Sequence, residues 1–350
     1  MTVHAWGWLK MPIPHEVIKL LALFPGVPIF FVISGFLITR TFLDRDGKLG
    51  PYFINRALRI YPALWLNLAI ILAAMTAAGV IFRTDDISAW IGIIAATGST
   101  ALASVAAGVP LLHWNAIVPF FPGGVLWTIP VEIGFYLLVP LIFLKPLRET
   151  RSGAALSIAA WGAASIVLAV WQSTAQSALM DSMVLPYLWI FLLGALATIF
   201  WREVAVFLVG RFWLWLTLYL GSSYALYFLG FDGANFKLPT VIVVTQTILL
   251  AGCVVSFAFS PHRPGSILRG NDISYGIYLN HFPLVMAFMA AGWTGSTLLL
   301  IPMVVVTALV ATASWRFIER PALRLKQRIR LKAIALSGNA SVRTTAFLRN

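Results

Sequence analysis

The feature that most limits what this chain can fold into is a series of apolar stretches, each near the ~20 residues an α-helix needs to cross a bilayer. They fall at residues 20–40, 60–82, 88–112, 125–144, 154–172, 184–200, 212–230, 239–260, 273–292 and 297–315. Inside lipid, backbone polar groups find no water, so a chain of this pattern spans as helices. Composition points the same way. Hydrophobic residues make up 60% of the 350 positions and charged residues 11%, against about 25% charged in a soluble domain. The sequence predicts an all-α polytopic membrane protein, with no soluble domain, low-complexity segment or internal repeat.

The net charge of +13 does not read as nucleic-acid binding. From Arg316 onward there are nine Lys/Arg against one Glu, a net of +8. That divides the chain into a membrane part, residues 1–320, and a basic tail, residues 321–350, suited to a cytoplasmic face near anionic lipid. The single Cys253 lies in an apolar run and excludes an intrachain disulfide.

Loop charge orients the spans. Five basic residues between Arg40 and Arg59 place that connection inside. Lys145, Arg148 and Arg151 also want the inside, which two full crossings between them would forbid. The Ala/Gly/Ser/Thr-rich run 88–112 resolves the conflict if it dips in and returns, or lies on the outer surface. This gives nine crossings, or ten if residues 1–19, too polar for a span, are the far end of a helix whose first half is missing.

Ionisable and small residues at membrane depth are the functional candidates, because each is costly there. Ser34 and Gly35 break the first apolar run, where another backbone or a ligand can come close. Arg56 and Arg59, at i and i+3, share one helix face and suit an anion; they equally suit anchoring at the membrane edge. Glu132 sits about two turns into its apolar run, after a ladder-breaking Pro130. It reads as a functional carboxylate or as one bonded to a Trp, Tyr or Arg of a neighbouring helix. His281, beside Asn280, reads as a functional imidazole or a satisfied core histidine, and His4 stands at the outer end of whatever precedes residue 20. His15, His113 and His262 sit in loops without an assigned role. No cluster has metal-ligand spacing, and there is no phosphate loop, dinucleotide fingerprint or GxSxG elbow.

With these residues goes a series of segments: GVPIFFVISGFLITR (26–40), RALRIYP (56–62), LWTIPVEIGFY (126–136), FLLGAL (191–196), ISYGIYLNHFP (273–283) and SWRFIERP (314–321). In this order and over nearly the whole chain they resemble the acyltransferase-3 family of integral membrane acyltransferases, which includes O-antigen and exopolysaccharide O-acetylases. By that resemblance Arg56 and Arg59 match the family's RxxR element, Glu132 its LWSLxVE-like glutamate, and His4 its essential histidine at the end of the first helix. The family has an arginine ahead of that histidine, upstream of Met1 here, and its glutamate segment does not usually carry a proline.

The resemblance implies transfer of an acyl group, acetyl in the typical case, from cytoplasmic acyl-CoA to a hydroxyl of a cell-surface glycan or glycolipid, at the bacterial inner membrane with the C-terminus cytoplasmic. Acyl-CoA would be a substrate, with no permanently bound cofactor. A thioester is already activated, so the needs are a base and oxyanion donors. His4 would be the base, Glu132 would orient it or the acceptor, and His281 would share that work. Arg56 and Arg59 would hold the donor's phosphates, and Ser34 and Gly35 would let its arm pass. Two other classes stay open: a secondary transporter with Glu132 and His281 as proton relays, and a non-catalytic membrane partner in glycan export.

Overall fold

The computed structural model describes residues 2–44, 47–77, 125–175, 184–231, 240–260 and 271–325. They form the helices α1 (Thr2–Trp8), α2 (His15–Ala22), α3 (Gly26–Leu43), α4 (Leu49–Ala77), α5 (Thr128–Ile142), α6 (Lys145–Arg148), α7 (Arg151–Ala175), α8 (Leu188–Ile199), α9 (Trp201–Leu208), α10 (Phe212–Phe228), α11 (Val241–Ala258), α12 (Ser274–Ala290) and α13 (Leu300–Ser314). No strand occurs among the described residues. Among the described residues four helical stretches are long and apolar enough to cross a membrane: His15–Leu43, Arg151–Gln172, Val241–Ala258 and Thr297–Leu325. The pair Leu185–Ile199 and Trp201–Leu208, bent by 99°, would make a fifth. The chain is an all-α polytopic membrane protein. The first span begins at His15 and not at residue 20, because the amphipathic α2, with Glu16 and Lys19, joins α3. The expected outer segment 88–112 and residues 326–350 of the tail lie outside the described residues.

The core is built where α3, α5 and α8 meet. Phe31 of α3 stands edge-on to Phe135 of α5, with centroids 5.0 Å apart, and Phe135 stacks on Phe191 of α8 at 4.5 Å. Glycine makes the α3–α8 crossing close. A Cβ on Gly35 would run into the Phe191 carbonyl, and one on Gly194 into the Val32 carbonyl. Serine ties the next layer. Ser165 of α7 donates to the Leu185 carbonyl at 2.6 Å and accepts the Trp189 amide at 2.8 Å. Ser157 donates to the Ile142 carbonyl at 2.6 Å, which satisfies one orphan acceptor at the end of α5.

A second group packs around α12, with α4 and α13 on its sides and α1 across it. Ala5, Leu9 and Met11 bury against Val285, Phe288 and Met303, so the N-terminal segment is seated on the penultimate span despite its polarity. The turn after α13, Trp315–Glu319, is a π-turn. Residues five apart point ~140° from each other on an α-helix. In a π-turn, where backbone bonds run i to i+5, they return to one side. Ser314 accordingly donates to the buried Glu319 carboxylate at 3.0 Å.

Candidate functional site

Two clusters of polar side chains lie along α12, at one end histidines and at the other arginines. His281 is buried. Its Nδ1 lies 2.8 Å from the Tyr278 carbonyl oxygen and 3.2 Å from that of Ile277. A carbonyl only accepts, so Nδ1 carries a proton, and in the neutral ring Nε2 then keeps its lone pair. The ring of His4, from α1, approaches at a centroid distance of 5.6 Å, and stands edge-on to Phe282 at 5.4 Å. One turn back, the Tyr278 hydroxyl donates to the Val125 carbonyl and pairs with the Thr128 hydroxyl at the start of α5. The Tyr278 ring stacks on Phe30 of α3, nearly parallel, at 6.0 Å.

Thr128, Glu132 and Tyr136 follow at i, i+4 and i+8, one face of α5. That face leads from the histidines to the arginines. The Tyr136 hydroxyl donates to Glu132 Oε1, and Glu132 Oε2, buried, has no hydrogen-bond partner. The Arg56 guanidinium lies over the Tyr136 ring at 5.4 Å and the Tyr52 ring at 5.9 Å. The Tyr52 hydroxyl donates to the Tyr136 carbonyl at 3.1 Å. Glu132 is within electrostatic reach of both Arg56 and Arg59. Arg59 points to α12, with Nη2 2.6 Å from Asp272 Oδ2 and Nη1 3.9 Å from Glu319. Its guanidinium also lies over Tyr275 at 5.8 Å. From Tyr275 to His281 is ~9 Å along the helix.

The structure thus brings His4 to His281 and Glu132 to Arg56. It gives Glu132 a tyrosine partner, on its own helix and not on a neighbouring one as the structural alternative in the sequence reading had it. Glu132 is the fifth residue of α5, little more than one turn in, and Pro130 is the third. That proline therefore breaks no ladder, since first-turn amides have no intrahelical acceptor. Ser34 is buried one turn after Phe30, while Gly35 is committed to the α8 crossing. The sequence reading passed over Tyr52, Thr128, Tyr136, Tyr278, Asp272 and Glu319. It also passed over Asn67 of α4, whose Nδ2 donates to the Leu279 carbonyl at 3.2 Å and to Asn280 Oδ1 at 3.1 Å. The i, i+4 polar stripe on α5 was the one available signal. Among the described residues no group of three or more His, Cys, Asp or Glu is placed to hold a metal.

Comparison with known proteins places this geometry in context. The family described as "Acyltransferase domain" matches residues 2–316. The chain is 32% identical over 345 residues to "Nodulation protein 10" of Rhizobium leguminosarum bv. viciae, an alignment that covers 96% of this chain and 93% of that protein. No solved structure matches.

Proposed function

This chain belongs to the acyltransferase domain family, and from that premise we propose that it moves an acetyl group from cytoplasmic acyl-CoA to a hydroxyl of a cell-surface glycan or glycolipid. Acyl transfer follows from membership; the donor, the acyl group and the acceptor are our reading. The observation that carries it is the meeting of His4 and His281, 277 positions apart in the chain, with Nδ1 of His281 placed to donate to the Tyr278 carbonyl. An imidazole with a free nitrogen is a base suited to neutral pH. The acceptor hydroxyl gives its proton to this pair, and its oxygen attacks the thioester carbonyl. The tetrahedral adduct collapses, the C–S bond breaks, and the CoA thiolate leaves with the proton that the imidazolium returns. Glu132 Oε2 has an unfilled acceptor for a substrate hydroxyl. Arg56 and Arg59 take the phosphates of the donor, which suit guanidinium forks. Ser34, buried one turn after Phe30 on α3, lies on the side of that helix that Tyr278 stacks against.

Loop charges support a cytoplasmic C-terminus, and the family resemblance supports the bacterial cytoplasmic membrane. The reading is tested by supplying radiolabelled acetyl-CoA to inside-out vesicles that contain the protein. Base-labile label on extracted glycan is the expected result. Inserted protein with no label on glycan or glycolipid would overturn it.

A further inference from the structure

Arg59 stands between two carboxylates that differ in exposure and in how they are held. Asp272 lies just before α12. Its Oδ2 meets Arg59 Nη2 at 2.6 Å, and its side chain is 49% exposed. Its Oδ1 accepts from the Ser274 hydroxyl at 2.6 Å and from the Ser274 amide at 3.4 Å. Asp272 therefore stays tied to the start of α12 whether or not Arg59 is beside it. Glu319 ends the π-turn after α13, and its side chain is 2% exposed. Its Oε1 accepts the Ser314 hydroxyl at 3.0 Å, and its Oε2 lies 3.9 Å from Arg59 Nη1. At that distance the contact is one of charge and not a hydrogen bond. Glu319 attracts the guanidinium and takes none of its hydrogens.

A donor phosphate that reaches Arg59 competes with these carboxylates. It can take the place of Asp272 Oδ2, because that side chain is half exposed and keeps its bonds to Ser274. Glu319, almost without accessible surface, is out of its reach. The two acids then have different parts. With no carboxylate left beside it, the long arginine stem would regain its rotamers, and the phosphate would have to order it again. With Glu319 in place the fork keeps its direction during the exchange. The same carboxylate repels a phosphate, but the two effects act over different distances. A phosphate in the place of Asp272 sits on Nη2, the other arm of the fork, and is farther from Glu319 than the guanidinium is. Charge interaction weakens with distance, so holding outweighs repulsion. We infer that Glu319 is a positioning residue for donor binding, which fixes the Arg59 guanidinium while phosphate replaces Asp272. Ser314 and the π-turn fix Glu319 in turn. The inference rests on the acyl-CoA reading above.

The test measures kcat and KM in inside-out vesicles for acetyl-CoA and for S-acetylpantetheine, a thioester without phosphate. Glu319→Gln keeps the size of the side chain and an acceptor for Ser314, and loses the charge. Ser314→Ala keeps the charge and loses the bond that fixes it. Glu319→Gln is expected to raise KM for acetyl-CoA by about fivefold, the scale of a partly exposed ion pair, and Ser314→Ala by less. The kcat with acetyl-CoA and the KM for S-acetylpantetheine are expected to keep their wild-type values, which a general loosening of α13 would change. If acetyl-CoA alone serves as donor, the split of KM from kcat decides. At wild-type protein level, an unchanged or lower KM for acetyl-CoA in Glu319→Gln would overturn the inference, the lower value by showing repulsion to dominate. Should Glu319→Gln not insert, an unchanged KM in Ser314→Ala overturns it. A fall in kcat, or equal changes with both donors, would also overturn it and leave Glu319 a structural residue. Wild-type protein that transfers from neither donor would overturn the acyl-CoA reading itself, and this role of Glu319 with it.

Discussion

His4 and His281 face each other across the α1–α12 contact, with ring planes inclined by 42° and centroids 5.6 Å apart. In the proposed mechanism the two rings act as one base. Substituting either by Asn, which keeps a polar group without a titrating ring, should lower transfer by ~10²–10⁴. The double variant should be little worse than the more damaged single, because residues that act as a unit are not additive. Initial rates at matched membrane levels decide this. Effects that multiply would show two separate roles, and full activity in His281→Asn would leave that ring a core residue.

Arg59 is held by Asp272, and both side chains are partly exposed, at 26% and 49%. Such a pair is weak, worth ~0.2–1 kcal/mol, so a phosphate can displace it. Asp272→Asn should therefore lower the KM for acetyl-CoA by at most about fivefold. Arg59→Lys should impair transfer nearly as much as Arg59→Ala, since lysine lacks the planar fork. Restoration of full activity by Lys would return Arg59 to a membrane anchor.

Glu132→Gln tests charge against bonding. Gln still accepts from Tyr136, so a structural role predicts near-normal activity. A role for the charge predicts a fall of ~10²–10⁴ in rate. Tyr136→Phe removes the donor beside that carboxylate and should also cost stability, ~1–3 kcal/mol for the buried acceptor left unpaired. Thermal melting in detergent alongside the rate separates the two contributions.

At the α3–α8 crossing, Gly35→Ala and Gly194→Ala each place a methyl group against a backbone carbonyl. Both should destabilise the protein, by about 1–3 kcal/mol if the helices shift to make room. Gly221→Ala, where a Cβ meets nothing within 4 Å, should be neutral. Equal melting temperatures for all three would mean that the helices part without cost.

Much of the helical pattern is legible in the sequence because hydropathy reports burial in lipid directly. The runs 212–230, 239–260 and 273–292 fall within a few residues of α10, α11 and α12. The first span differs because α2 is amphipathic, and a polar face dilutes the average. The site is less legible. Glu132 and His281 stand out because charge or imidazole is rare in apolar runs; Arg56 and Arg59 stand out by their i, i+3 spacing at the edge of one, and His4 by the family resemblance. Tyr136, Tyr278 and Asn67 do not stand out, since tyrosine is common there and one asparagine has no local signature. What marks them is a partner distant in the chain: Val125 for Tyr278, Leu279 for Asn67. Gly35 shows the converse. A small residue in a span serves helix contact or ligand approach alike, and only the facing Phe191 backbone distinguishes them.

The π-turn at Trp315–Glu319 sets a limit of another kind. Because it takes five residues to bring Glu319 round to Ser314, the stretch is fixed in length more than in content. Phe317, 70% exposed, can vary in type with little effect on that contact. Removing any one residue between Ser314 and Glu319 would return the turn to α geometry and rotate everything beyond it by ~100°. The carboxylate beside Arg59 would then point away from α4. Homologous chains should therefore tolerate substitution at position 317 and exclude insertion or deletion between Ser314 and Glu319.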